Sequence, residues 1–237
     1  MLRGSEIFGV KMIVTIHQPD FLPWLGFFDR WKKSDIYIVL DDVQFLRRGW
    51  HNRDRIKTPQ GVKWLTIPVK KSGRYLQQIR DVEIDSGSEW AKGHLGIIKA
   101  SYGKAPNYGR FYPFIEKIYI KRHARLMDLN MDFLRFISSV LEIKTPVVFS
   151  SALKTEKTGT ERLLELVRVV GGDTYMTGLG SKDYLEEALF GKEGIKVLWQ
   201  EFEHPVYRHM YGDFEKGLSA LDYLMMDGKP FFSDRNR

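Results

Sequence analysis

The chain has 237 residues, 43% of them hydrophobic, which suits one large domain or two small ones with a sizeable core. It contains no Cys, which excludes disulfides, thiolate nucleophiles and Cys-ligated zinc or iron–sulfur centres and fits a reducing cytosol, the expected compartment. A formal net charge of +7 points to anionic partners, and no apolar run is long enough to span a bilayer.

The segment before Met12 is too short in its apolar part for a signal peptide and lacks a small-residue cleavage site. Met12 opens directly into the first predicted strand, so residues 1–11 read as an upstream extension. Residues 13–16 are β-branched and apolar, and this strand runs into His17-Gln18. Pro19 and Pro23 delay the helix that follows, Pro23 being acceptable as a first helical residue. WLGFFDRWKK then places Trp24, Phe27, Phe28 and Trp31 on one stripe at helical spacing. Those rings read as core, except Trp24, which lies at the helix mouth beside His17.

A second strand, DIYIVL at 35–40, ends in Asp41-Asp42. Residues 43–52 show no period and read as a loop, and RIKT leads to Gly61 and a strand KWLTIPV stopped by Pro68. IRDVEI alternates and is predicted as a strand of its own. From Ser88 the pattern turns helical, with three helices forming a mostly α insert over 88–144. The α/β alternation then returns. VVFSSAL is a strand, and TGTERLLELVRVVGG a helix capped by Thr158 or Thr160 and stopped by Gly171-Gly172. DTYMTG is a strand, SKDYLEEALF a helix with Ser181 as its cap, IKVLWQEF a strand and LSALDYLMMDG a final helix. The polar SDRNR at the end is expected to fray.

This order predicts an α/β fold: a mostly parallel sheet with helices on both faces and a mostly helical insert in the middle of the chain. An N-terminal half at 12–87, the insert at 88–144 and a C-terminal half at 145–230 would form one compact unit. Ligands of open parallel sheets bind outside the carboxyl ends of the strands. If the first two strands are parallel, His17, Asp41 and Asp42 share one rim.

His17 can serve as a general base or a phosphate donor there, or simply bond a loop carbonyl. Gln18 and Asp20 follow it. Side chains alternate along a strand, so Asp41 and Asp42 point apart unless the strand has ended. Two carboxylates and one His are also a common accidental set, and no metal site is assigned. After them come Gln44, Arg47, Arg48, Trp50, His51, Asn52, Arg53, Arg55 and Lys57. In extended conformation Arg53, Arg55 and Lys57 share a face suited to phosphate or carboxylate. Basic residues beside one aromatic can also contact single-stranded nucleic acid, although no known nucleic-acid motif is present. Further along, Gly178 and Gly180 before a helix cap could cradle an anion, and Tyr184, His204 and Tyr207 are either ligand contacts or packed residues.

Taken together, these residues resemble the WbqC-like family. The resemblance rests on His17-Gln18-Pro19 through Leu22-Pro23-Trp24-Leu25-Gly26, on Asp42-Val43-Gln44-Phe45, and on Asn52-Arg53 with Ile56-Lys57. It continues in Trp64-Leu65-Thr66 to Pro68-Val69 and, more loosely, in Gly178, Tyr184-Leu185, Pro205-Val206-Tyr207 and Leu218-Ser219 to Asp222. Arg208-His209 and Gly217 depart from the family's pattern. The resemblance implies a bacterial surface-polysaccharide or specialised-metabolite pathway and an amino sugar that gains an amide-linked amino-acid group. The layout is also similar to pantothenate synthetase and other HIGH-type nucleotidylyl transferases, but Phe27 stands where their second His would be, so ATP and Mg enter by analogy only.

The expected function is acyl or aminoacyl transfer to the amine of a nucleotide-linked amino sugar. His17 would be the base, Asp42 would orient it, and Asn52, Arg53, Lys57 and Gln44 would hold anionic and polar groups. With no Cys there is no thioester on this chain, so the donor arrives activated or is activated by ATP. An ATP-dependent ligase acting through an acyl-adenylate, and a non-catalytic sugar-nucleotide or nucleic-acid binding protein, are the alternatives.

Overall fold

β1 (Ile13–His17) and β2 (Ile36–Val39) are short apolar, largely β-branched runs that pair in parallel, Val14 opposite Ile36 and His17 opposite Val39. The computed structural model describes residues 11–87 and 89–232. The expected upstream extension (but for Lys11), Ser88 and the terminal SDRNR lie outside the described residues. β5 (Val147–Phe149) pairs with β2, β6 (Thr174–Thr177) pairs with β1, and β7 (Lys196–Trp199) pairs with β6. The sheet is therefore wholly parallel, with the order β5-β2-β1-β6-β7. The winding reverses at β1, so connections leave the carboxyl ends of β1 and β6 in opposite directions and a crevice opens between them.

α1 (Leu25–Lys33) carries the chain from β1 to β2. Its apolar side chains recur at three and four residues, and Leu25, Phe27, Phe28 and Trp31 are buried, those three rings being core as predicted, while Trp24 at its mouth is exposed. Burying each large side chain contributes roughly 1.5–3 kcal/mol. Ser34 ends the helix, its hydroxyl donating to the Arg30 carbonyl. On the same sheet face Tyr37 and Val39 join one core with the insert helices α2 (Trp90–Tyr102), α3 (Tyr108–Ile120) and α4 (Leu126–Val140) and with α7 (Ala220–Met226). Val14, Ile16 and Ile38 point the other way. They meet Leu166 and Val167 of α5 (Gly159–Val169) and Phe190 of α6 (Glu187–Lys192) in a second core. The period-two alternation of the strands thus divides the two helical layers.

β3 (Arg53–Thr58) and β4 (Gly61–Thr66) form a separate antiparallel hairpin, Arg53 opposite Thr66 and Lys57 opposite Val62. Its turn is closed by the Thr58 hydroxyl on the Gly61 carbonyl, and Gly61 has φ +103°, a conformation natural only to glycine. Asp54, Ile56 and Thr58 are buried, so Arg53, Arg55 and Lys57 share the other face, as extended backbone requires.

Three local expectations are corrected. IRDVEI is not a strand: Ile79–Asp81 is a short 3-10 turn, and the β-pairing of the segment is limited to isolated bridges, Val69 with Ile84 and Glu83 with Arg125. Its alternation is real, since Ile79, Val82 and Ile84 are buried, but it packs against the insert rather than joining a sheet. The strand predicted at KWLTIPV stops at Thr66, before Pro68. Ser181 caps no helix: residues 179–181 form a 3-10 turn, and α6 begins only at Glu187.

Candidate functional site

His17 ends β1 and Asp41-Asp42 follow β2, so the three do lie at one rim. Their partners differ. Asp41 is buried and accepts from the Ser151 hydroxyl at 2.7 Å, the Ser151 amide at 3.0 Å and the Ser150 hydroxyl at 3.0 Å. Asp42 accepts from Ser150 at 2.6 Å and from the Arg162 guanidinium at 2.6 Å. Burial alone would raise the Asp42 carboxyl, but the Ser150 and Arg162 hydrogen bonds hold it below its ordinary value. Both carboxylates therefore tie β2 to the segment after β5 and to α5.

The carboxylate beside His17 is Asp20. Its Oδ2 lies 3.6 Å from His17 Nδ1, and its Oδ1 lies 3.9 Å from His51 Nε2. His17 Nδ1 is 3.0 Å from the Gln18 carbonyl, which can only accept, so Nδ1 carries the proton and Nε2 keeps its lone pair. The ring stands edge-on to Phe27, with centroids 5.1 Å apart, and its side chain is 32% exposed at the lip of the crevice. Burial among neighbouring atoms, with the Arg30 charge, lowers the imidazole to about 3, so it is neutral at physiological pH. Burial raises Asp20 to about 7, against the opposing pull of Arg30. The site thus contains one neutral imidazole and one carboxyl that changes charge at neutrality, the pattern expected of acid–base machinery.

Arg30 supplies the fixed charge. It projects from α1 to the switch point, is 7% exposed, and donates to Gln200 Oε1 at 3.3 Å. Among the described residues no carboxylate lies within ion-pairing distance of it. A Cβ built on Gly178, just past β6, would come 2.4 Å from Arg30 Nη1, so the glycine leaves the space that the guanidinium occupies. Gln200, just past β7, holds this group together, its amide donating to the Gly26 carbonyl at 2.7 Å and to Asp29 at 2.9 Å.

The remaining predicted residues fall in three places. Asn52 is buried and pairs with Ile67 in both directions, and Gln44 donates to the Tyr75 carbonyl. Arg53 and Lys57 sit on the outer face of the hairpin. Tyr184 is an exposed side chain on the α5–α6 side, while His204 and Tyr207 pack against each other in the strap after β7. Trp24 covers Gly26, where a Cβ would meet its ring at 2.3 Å. It lines a cleft of about 790 Å³ with Asp29, Phe202, His204 and Phe231, a cleft that excludes His17. Gly178 leads into the 3-10 turn at 179–181, and the α-helix read as starting at Ser181 begins only at Glu187. Among the described residues no three His, Asp or Glu side chains gather around a cation position, and no helix is long and apolar enough to cross a membrane.

The sequence pattern of the WbqC-like protein family matches residues 18–232, nearly all of the chain and all of the elements just described except β1. The chain belongs to the WbqC-like protein family. This WbqC-like chain is also 35% identical over 217 residues to the uncharacterized protein Rv1507c of Mycobacterium tuberculosis, an alignment covering 91% of this chain and 94% of that one. No solved structure matches it.

Two groups in the WbqC-like site escaped the sequence reading. Arg30 falls in the last turn of a helix, where a basic residue ordinarily faces solvent and meets the helix dipole. Its signal was positional: it lies three residues after Phe27 and one before Trp31, inside the apolar stripe. His51 read as part of a basic loop, yet it is buried, and burial lowers it to about 4.

Proposed function

We propose that the protein transfers an acyl or aminoacyl group to the amine of a nucleotide-linked amino sugar in bacterial surface-polysaccharide biosynthesis. One observation carries the acid–base part: a neutral His17 with Nε2 unprotonated stands next to Asp20, a carboxyl whose charge changes near pH 7. An amine acceptor arrives as an ammonium and must lose a proton before it can attack. His17 Nε2 takes that proton, and the ionised form of Asp20, 3.6 Å from Nδ1 on the other side of the ring, stabilises the imidazolium that results. The amine nitrogen then bonds to the acyl carbon, and the donor's leaving group departs with the electron pair of the broken bond.

Arg30 gives the site a second property. Its charge is part of what keeps His17 weakly basic, so an anionic substrate beside it would offset that charge and raise the imidazole toward working range. The base is then strengthened when substrate binds. The chain has no Cys to carry a thioester, which supports a donor that arrives activated or is activated by ATP.

The first experiment is a thermal-shift screen with nucleoside diphosphates, nucleotide sugars, acyl-CoAs and amino acids with and without ATP. A ligand at 100 times its Kd stabilises the folded state by about 2.7 kcal/mol. With the acceptor found, His17→Ala is expected to lower turnover roughly 10²- to 10⁴-fold with its melting curve little changed. Undiminished turnover in that variant rules out His17 as the base.

A further inference from the structure

We infer that the outer face of the β3–β4 hairpin is a nucleobase-stacking subsite, taking the nucleoside diphosphate part of the substrate proposed above. The inference rests on that reading for the identity of the ligand, but its geometry is independent of the chemistry at His17. Trp50 and Trp64 are 46% and 40% exposed, and their ring centroids lie 5.3 Å apart at 34°. Exposed aromatics are common singly, whereas two adjoining indoles, tilted by 34° and flanked by arginines, form an apolar surface on which a planar ligand can lie. The Arg53 guanidinium lies 4.4 Å from the Trp64 centroid, and that of Arg55 lies 5.8 Å from both rings.

These cations are held in place. Arg53 donates to the Arg48 carbonyl at 2.6 Å, Arg55 to the Gly217 carbonyl at 3.2 Å, and Lys57 to the Asp213 carbonyl at 3.1 Å. Among the described residues none of the three has a carboxylate within ion-pairing distance, and Nε of both arginines is buried without a partner. A row of cations with no counterion of its own is complementary to a diphosphate, whose oxygens suit guanidinium groups. The Gly217 and Asp213 contacts bring the strap after β7 alongside the hairpin, so the face is bordered rather than flat.

The face is also linked to the site through the chain. The Trp50 carbonyl accepts from the Phe21 amide at 3.1 Å, and His51, the next residue, faces Asp20 at 3.9 Å. A base on the tryptophans would therefore lie one residue along the chain from His51, with Arg53, at the start of the hairpin, the cation nearest the site.

The test uses the full chain with ADP and UDP as probes and pyrophosphate as a base-free control, followed by tryptophan quenching and calorimetry. Nucleoside diphosphates should quench fluorescence, and Trp50→Ala and Trp64→Ala should each weaken their binding roughly 10- to 100-fold while affecting pyrophosphate little. Trp64→Phe should restore most of the affinity, and Trp50, being half exposed, can be truncated without opening the core. Equal nucleotide affinity in both alanine variants would overturn the inference. Nucleotides binding no tighter than pyrophosphate would do the same, as would a long oligonucleotide binding far more tightly than either mononucleotide, which would assign the face to a nucleic-acid strand. Amide formation on a free amino sugar with no nucleotide binding would refute the subsite and leave acyl transfer standing. Nucleotide binding that depends on the Trp pair, with no turnover under any donor, would do the reverse.

Discussion

Replacing Asp222 by alanine is expected to destabilise the protein by about 3–5 kcal/mol, the cost typical of removing one partner from a buried charged network. Asp222 lies in α7 and is 0% exposed. It accepts from Tyr102 of α2 at 2.5 Å, from Tyr207 at 3.0 Å and from His209 Nδ1 at 2.7 Å, the last two in the strap after β7. His209 Nε2 in turn accepts the Glu215 amide at 3.0 Å. The ring is thereby fixed as the Nδ1–H tautomer, and one carboxylate anchors the middle of the strap. Without it, two buried donors, Tyr102 and His209, and the half-buried Tyr207 lose their acceptor, and each unsatisfied buried group costs about 1–3 kcal/mol. For a chain of this size the melting temperature should fall by roughly 10 °C. Combining Asp222→Ala with Tyr207→Phe should cost less than the sum of the two, since both remove the same bond. A calorimetric loss under about 1 kcal/mol would show that the network is no anchor.

The second large effect is a stability difference that depends on pH. Burial raises the Asp20 carboxyl to about 7, whereas an unfolded aspartate titrates near 3.9. Between these values the folded protein holds a proton that the unfolded chain releases. Stability contributed at this group is therefore lost as pH rises from about 4 through 7, and above that the full penalty of about 4 kcal/mol applies. His51 and His94 act in the opposite sense. Burial lowers each to about 4, so the unfolded chain takes up protons first and stability falls as pH drops from about 6.5 toward 4. Asp20 receives no hydrogen bond from a described side chain, so Asp20→Asn removes the charge without breaking a bond. The variant should match the parent near pH 4 and exceed it by several kcal/mol at pH 8, with the gap opening between. Urea unfolding at pH 5 and pH 8 measures this, and a gap that does not change with pH would refute the buried-proton account.

The rim of the sheet was legible because strand ends announce themselves: an apolar run that stops in a polar pair marks where backbone pairing ceases. His17 and the Asp41-Asp42 pair were found that way, and so was the shared face of Arg53, Arg55 and Lys57. What those groups bond to was not legible. Asp42 meets Arg162, 120 residues away, and Asp41 meets Ser151, 110 residues away. Nothing in local spacing encodes such pairs, so the sequence offered Asp42 as the partner of His17 while the structure brings Asp20, three residues on, to its side. Arg30 and His209 were missed for a related reason. A charged residue's ordinary place is the surface, and only tertiary packing shows when it has been turned inward. Phe27, Phe28 and Trp31 were legible as core from their helical spacing, but the Trp50–Trp64 pair exists only because the 3-10 turn before β3 lays Trp50 against a residue of β4.

The central pairing of the sheet has a consequence for how the chain is made. β1 emerges first, yet its second neighbour, β6, is separated from it by 161 residues where Thr15 meets Met176. During synthesis β1, β2 and β5 can assemble while one side of β1 still presents unpaired amide and carbonyl groups. Non-local parallel pairing of this kind is slow, and an open strand edge invites other chains. A nascent chain stalled before residue 174 should therefore be prone to association, an exposure that ends only as the last quarter of the chain is made.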